Sequence, residues 1–426
     1  MDQGETELVL SAEDQAMLSG ERGPGMAMAM RMIVALAGVQ GAGRLIDIAS
    51  AHIDGCLYHG QAGLDFAEKL VQLGAAVSVP TTLNVSSLDL LHPGLVRLPA
   101  AEASAARRLM DAYVTLGARA TWTCAPYQLA GRPERGTDIA WAESNAIVFA
   151  NSVLGARTER YGDFVDVCAA ITGRVPEAGL HLGANRRPTL VLDCSALPDR
   201  VMDNDAAWAA LGHAVGRRAG RGIPLLTGLN SALADEDRLK ALGAAAASAG
   251  GIALFHVADV TPEAGDGSVD ASGGLPRESI TPAVLRAARD ELTTAAASGP
   301  LDAVSLGTPH FSVSEFAKLA EELTDRPRFH PHCKVWVSTS REVLAQARER
   351  GYAQVCEEHG AVIVTDTCTY ITPILGPEIR TSMTTSGKWA WYAPANLGID
   401  VIFGTLAECV ASACAGKVVR DESAWR

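Results

Sequence analysis

Ala361-Val362-Ile363-Val364-Thr365-Asp366-Thr367-Cys368 runs from four consecutive apolar residues into a polar turn that closes on a cysteine. A short apolar run rich in β-branched residues, bounded by polar ones, reads as a strand buried on both faces. Working outward, residues 335–338 and 303–306 repeat the pattern, with helical spacing at 315–323 and 341–349 between them. Further back, strands are expected at 45–48, 76–79, 118–122, 189–192 and 251–255, and helices at 26–36, 64–73 and 103–116. Ser11 before Ala12-Glu13-Asp14 has the form of a helix cap, and the Ala-rich stretch 239–249 that of a tightly packed helix. Strands alternating with helices give mostly parallel sheets covered by helices, an α/β fold.

The chain has 426 residues, 48% of them apolar, 41 glycines and only 5% aromatics. That length suits two or three lobes, each with its own core. The expected division is 1–190, 191–300 and 301–426, with breaks near 193–204 and 265–274. The formal net charge is −13, and Arg107-Arg108, Arg186-Arg187 and Arg217-Arg218 are isolated pairs. No basic face for nucleic acid is expected. The acidic start and the short run 26–39, broken by Arg31, suit neither a signal peptide nor a membrane span. A cytoplasmic location is expected, where the nine cysteines stay reduced.

Common signatures are absent. Ser386-Gly387-Lys388 lacks the first glycine and the final hydroxyl of a P-loop, and Gly38, Gly41 and Gly43 are misordered for a dinucleotide fingerprint. There is no Cys-x-x-Cys and no His-Glu-x-x-His, so no zinc ribbon. Ligands of open α/β sheets bind beyond the carboxyl ends of strands. Cys124, Cys194 and Cys368 stand at such ends, although a lone cysteine is often a small buried hydrophobe.

Trp122-Thr123-Cys124-Ala125-Pro126-Tyr127, Ala140-Trp141-Ala142-Glu143-Ser144-Asn145-Ala146 and Phe149-Ala150-Asn151-Ser152-Val153-Leu154-Gly155-Ala156-Arg157-Thr158 resemble the central block of the aconitase X family. So do Ser50-Ala51-His52-Ile53-Asp54-Gly55, Pro80-Thr81-Thr82-Leu83-Asn84, Leu306-Gly307-Thr308-Pro309-His310-Phe311-Ser312 and Asp366-Thr367-Cys368. The resemblance runs from about residue 8 to 416. It implies an aconitase-like fold of two or three α/β lobes around a central cleft, and an iron–sulfur hydro-lyase. Three thiolates would hold the cluster, leaving one iron for the substrate hydroxyl. The resemblance points to Cys124, Cys368 and Cys409, with Cys56 as the rival. Cys168, Cys194, Cys333, Cys356 and Cys414 read as structural.

Other residues have two readings each. Thr81, Thr82 and Asn84 bind substrate or cap a turn. Arg157 clamps a carboxylate or pairs with Glu159 or Asp163. His52 and His310 are acid–base groups or hydrogen-bonded structural histidines. Glu143 is a catalytic or paired buried acid, or a helix-surface residue. Ser386 and Lys388 bind a carboxylate or sit in a surface loop. Aconitase-type enzymes also use a swivelling domain of about 120–150 residues that supplies a serine base. The resemblance implies that a separate small subunit provides it. The reaction implied is dehydration of cis-3-hydroxy-L-proline. Residues 157–164 and 170–176 resemble the bacterial hydroxyproline branch. The alternatives are dehydration of mevalonate 5-phosphate and a non-catalytic metal- or cluster-binding role.

Overall fold

The computed structural model describes residues 7–266, 269 and 274–426. Most of the Gly-rich break at 265–274 lies outside the described residues. The chain forms two compact units, one from residues up to Leu88 with Leu98–Arg187, the other from Asp89–Arg97 with Pro188–Arg426. Among the described residues, no helix is long and apolar enough to cross a membrane.

In the first unit, the helix Pro24–Gln40 opens on proline, whose fixed φ suits a first helical turn, and ends at Gly41 in the left-handed region. Its face of Met30, Ile33 and Ala37 is fully buried, and the helix packs on the helix Val165–Thr172. The strand β1 (Leu45–Asp47) pairs antiparallel with a later strand at Arg174–Pro176. The strands β2 (Ala51–Ile53), β3 (Thr81–Leu83) and β4 (Ala140–Trp141) form a parallel sheet in the order β3-β2-β4. The strand Arg174–Pro176 is β5.

Two expectations fail here. Residues 76–79 are not a strand: Val77 and Ser78 donate their backbone N–H groups to Leu116 and Ala170 carbonyls, between helices. Residues 118–122 make only a parallel bridge from Arg119 to Thr82, and Trp122, with φ +44°, turns the chain away.

The second unit carries two all-parallel sheets. One runs β8-β7-β6-β9, from β6 (Leu190–Asp193), β7 (Pro224–Thr227), β8 (His256–Val257) and β9 (Arg277–Ser279). Residues 251–255 are not a strand; after the helix Glu236–Gly250 ends at left-handed Gly251, the strand falls at His256–Val257. The other sheet runs β12-β11-β10-β13-β14, from β10 (Ala303–Phe311), β11 (Lys334–Thr339), β12 (Ala361–Val364), β13 (Thr381–Thr384) and β14 (Asp400–Phe403). The chain moves outward from β10 to β12 and returns on the other side of β10 at β13. This reversal is a topological switch point, where such sheets bind ligands beyond the carboxyl ends of their strands.

The Ala-rich helix Glu236–Gly250 packs tightly, as expected, against the helix Asp205–Ala219. Glycine is required at 212, because a Cβ there would meet the Leu242 carbonyl oxygen at 2.1 Å. From this helix, fully buried Lys240 reaches Glu315, Asp237 (3.2 Å) and the His310 carbonyl (3.5 Å). Ser312 and Ser314 donate to the same Asp237. Removing only the cation leaves two carboxylates without their partner. Lys240→Met is therefore expected to cost about 3–5 kcal/mol, read by denaturant unfolding; a loss below about 1 kcal/mol would mean water replaces the ammonium.

Candidate active site

The carboxyl ends of the parallel strands collect the polar residues of each unit. In the first unit, His52 of β2 faces Thr82 of β3 in register, and His52 Nδ1 meets Thr82 Oγ1 at 2.8 Å. The Thr82 hydroxyl points to the Ala51 carbonyl (3.5 Å), so Nδ1–H donates to it and Nε2 keeps the lone pair. Burial pulls the His52 pKa down to about 4, against the opposing carboxylate of Glu143, so the ring is neutral at pH 7. Two residues further along each strand pair, Asn84 Nδ2 donates to Asp54 Oδ1. Thr81 points the other way and donates to the Val79 carbonyl at 2.8 Å.

Cys124, 4% exposed, lies one residue past Thr123, whose N–H donates to the Leu83 carbonyl at the end of β3. Its turn is rigid. Asn145 Nδ2 donates to the Cys124 carbonyl (2.7 Å), and Tyr127 donates to Asn145 Oδ1 (2.8 Å). The Tyr127 ring stacks on Phe149 at 3.8 Å. Glu143, expected among the catalytic groups, caps the helix Ser144–Phe149. It accepts from Ala146 N, Asn145 Nδ2 and Ser144 Oγ. Arg157 sits alongside Asp138, at the amino end of β4, with its guanidinium on the His181 carbonyl at 3.4 Å. It is thus removed from the carboxyl edge, where a substrate clamp belongs. Cys56 is fully buried, donates to the Ile53 carbonyl (3.4 Å), and burial raises its thiol pKa well above the usual range.

In the second unit, the turn after β12 carries Cys368, 1% exposed. Asp89 accepts from the N–H and hydroxyl of Thr365, both at 2.9 Å, and from the N–H groups of Leu91 and His92. Asp366 has φ +62° and receives both arms of Arg341 at 2.6 Å, together with Leu90 N–H at 3.0 Å. Bidentate charge-assisted bonds of this kind hold an unfavourable backbone in place. Beyond the cysteine, Thr369 bonds to Ser305 (2.6 Å) and receives Trp389 Nε1 (3.0 Å).

His310 and Cys368 present ligand atoms within 4.8 Å of one another. His310 Nε2 meets the Thr367 carbonyl at 3.1 Å, so Nε2 bears the proton and Nδ1 is the lone-pair nitrogen. Strand β10 changes register between Leu306 and Phe311, where Gly307 lies against the Ser338 carbonyl. A bulge re-aims side chains in this way. Thr308, which the sequence reading did not single out, is 4% exposed and its buried hydroxyl has no partner. Across the switch point, Ser386 caps the helix Gly387–Leu397, accepting from Trp389 N and donating to the Thr308 carbonyl. Lys388, 5% exposed, has its ammonium 6.0 Å from the Tyr370 ring centroid. Thr308, Ser386, Gly387 and Lys388 share a cavity of about 50 Å³. A neighbouring cavity of about 510 Å³ holds Arg238 and Lys318, both paired with Asp205.

Cys409 does not join this group. It lies one turn into the helix Leu406–Ala415, in the apolar core with Leu301, Met383 and Ile402, and burial raises its pKa well above the usual range. The expected helix N-terminus is occupied by Thr405 and Glu408, which cap each other. All nine cysteines are thiols. Burial lifts Cys168, Cys194, Cys333 and Cys356 to about 12, in keeping with core roles.

Three family models match the chain: aconitase X first domain at residues 7–184, second domain at 188–290 and third domain at 301–415. The chain is 44% identical over 424 residues to a cis-3-hydroxy-L-proline dehydratase of Pseudomonas aeruginosa, covering 98% of this chain and 72% of the relative. It is 40% identical to one from Hypocrea jecorina, covering 96% and 69%. A phosphomevalonate dehydratase large subunit of Methanothermobacter thermautotrophicus is 38% identical, with 94% and 97% covered. A crystal structure of Thermococcus kodakaraensis aconitase X, in its holo-form, superposes with a TM-score of 0.86 at 33% identity, covering 95% of this chain and 100% of that one.

Proposed function

Because the chain belongs to the aconitase X family, we propose that it is the large, cluster-bearing part of a hydro-lyase that converts cis-3-hydroxy-L-proline to pyrroline-2-carboxylate. The observation that carries the substrate is its greater identity to two cis-3-hydroxy-L-proline dehydratases than to the phosphomevalonate dehydratase large subunit.

The donor set suits an iron–sulfur group. Cys124 and Cys368 are buried thiols on fixed turns at strand ends, and a ring nitrogen of His310 accompanies Cys368. Soft thiolates with an imidazole are ligands of iron and its sulfide clusters. We assign Cys368 and His310 as its holders in the second unit, in place of Cys409, and keep Cys124 as the thiolate that the family resemblance supplies. When bound, the cluster supplies a Lewis-acidic iron that makes hydroxide a better leaving group.

The chain's own residues act on the other half of the reaction. The C2 proton to be lost lies next to the carboxylate, and its removal builds enolate charge there. Lys388, Gly387 at the start of its helix and Thr308, whose hydroxyl has no partner, line one small cavity at the switch point, where Lys240 neutralises the neighbouring Asp237 and Glu315. They are suited to hold that carboxylate and stabilise its growing charge. Neutral His52, with its low pKa, acts as a hydrogen-bond acceptor. The base that takes the C2 proton comes from a small swivelling partner. The C2–H and C3–O bonds break, C2=C3 forms, water leaves, and the enamine tautomerises to the cyclic imine.

The test is an anaerobic incubation of the iron-loaded protein, with its small partner, on cis-3-hydroxy-L-proline. The cyclic imine is the expected product, and an assembled, iron-replete enzyme that forms none contradicts the reading.

A further inference from the structure

Alternate residues of a strand share a face, so β2 and β3 place two cross-strand pairs side by side at the carboxyl edge: His52 with Thr82, then Asp54 with Asn84. Each pair leaves one buried acceptor unanswered. The Asn84 amide gives its N–H to Asp54, so its Oδ1 is the end turned elsewhere. That oxygen is buried without a partner, on a residue only 3% exposed. His52 Nε2, the lone-pair nitrogen, is likewise buried and unpartnered. Desolvated acceptors are costly unless something donates to them. The loop is built to stay in place, since Asp166 accepts the N–H groups of Asp54 (2.7 Å) and Gly55 (3.5 Å), and Gly55 lies close against Tyr113. A carboxylate flanked by two acceptors lacking donors calls for a cation that carries N–H bonds.

We propose that Asp54 and Asn84 receive the ring ammonium of the substrate, one N–H to the Asp54 carboxylate and the other to Asn84 Oδ1, and so determine specificity for a cyclic amino acid. This rests on the hydroxyproline reading of the site. The secondary ammonium is the feature that separates cis-3-hydroxy-L-proline from mevalonate 5-phosphate, which has no nitrogen. Neither aspartate nor asparagine is catalytic here, since neither touches the bonds that break.

The experiment uses two unreactive probes of matched shape, L-proline and cyclopentanecarboxylate, titrated calorimetrically against the iron-loaded protein. The parent is expected to prefer L-proline. In Asp54→Asn, affinity for L-proline should fall about ten- to a hundredfold, the loss of a charge-assisted hydrogen bond, while cyclopentanecarboxylate is bound as before. Asn84→Ala, which keeps the carboxylate, should show the same selective loss and serves if the first variant is unstable. Unchanged L-proline affinity in both variants, or equal weakening of both probes, overturns the assignment and leaves the substrate reading standing. A parent that turns over hydroxyproline but binds both probes alike also overturns it. A parent that neither binds L-proline nor turns over hydroxyproline defeats the substrate reading itself.

Discussion

Serine at position 368 or 124 removes iron from the protein and lowers turnover roughly a thousandfold or more, while the fold survives. The magnitude follows from losing a Lewis acid, worth several kcal/mol of leaving-group stabilisation. The fold survives because the two turns are fixed by other groups. The Cys368 turn hangs on Asp89, Asp366 and Arg341, and the Cys124 turn on Asn145 and Tyr127. Cys409→Ser is the matched control. Its sulfur is one core side chain among many, so the variant loses stability but keeps its iron. The check is iron and sulfide analysis with the visible spectrum, on all three variants. Iron retained by both Cys124→Ser and Cys368→Ser, or lost on Cys409→Ser alone, would return the assignment to Cys409.

Lys388→Met is the second large effect. The variant keeps most of the side-chain volume and removes the positive charge from a nearly closed position. Charge stabilisation that grows toward the transition state acts mainly on kcat. A loss of about a hundredfold or more in kcat is expected, with iron content unchanged. A variant in which only KM rises would make Lys388 a binding group alone.

Much of the second unit was legible. Runs such as Val335–Ser338 and Ala361–Val364 are apolar because both faces of a parallel sheet are covered, and the polar turn ending in Cys368 stands out against them. Strands β3 and β13 were not legible. Thr381-Ser382-Met383-Thr384 has no apolar run, yet Ser382, Met383 and Thr384 are fully buried, and Thr384 donates to the Ser305 carbonyl at 2.7 Å. Burial of hydroxyls satisfied by a neighbouring strand leaves no apolar signature.

The core position of Cys409 did have a signal. Leu406, Cys409, Val410 and Ala413 recur at helical spacing, and that stripe faces the core of the second unit. Cys409 belongs to it. For Arg157, a motif does not say which end of a strand it lies beside; its bridge to Asp138 does. Asp89 carried no local signal at all. Its partner Thr365 is 276 residues away, and only the folded chain brings the two together.

The account stands most directly on which substrate is dehydrated. The assembled, iron-loaded enzyme is offered cis-3-hydroxy-L-proline and mevalonate 5-phosphate, separately and in competition, under anaerobic conditions. The account predicts that the cyclic imine accumulates from hydroxyproline while mevalonate 5-phosphate is recovered unchanged and does not compete. Dehydration of mevalonate 5-phosphate with hydroxyproline untouched would contradict it.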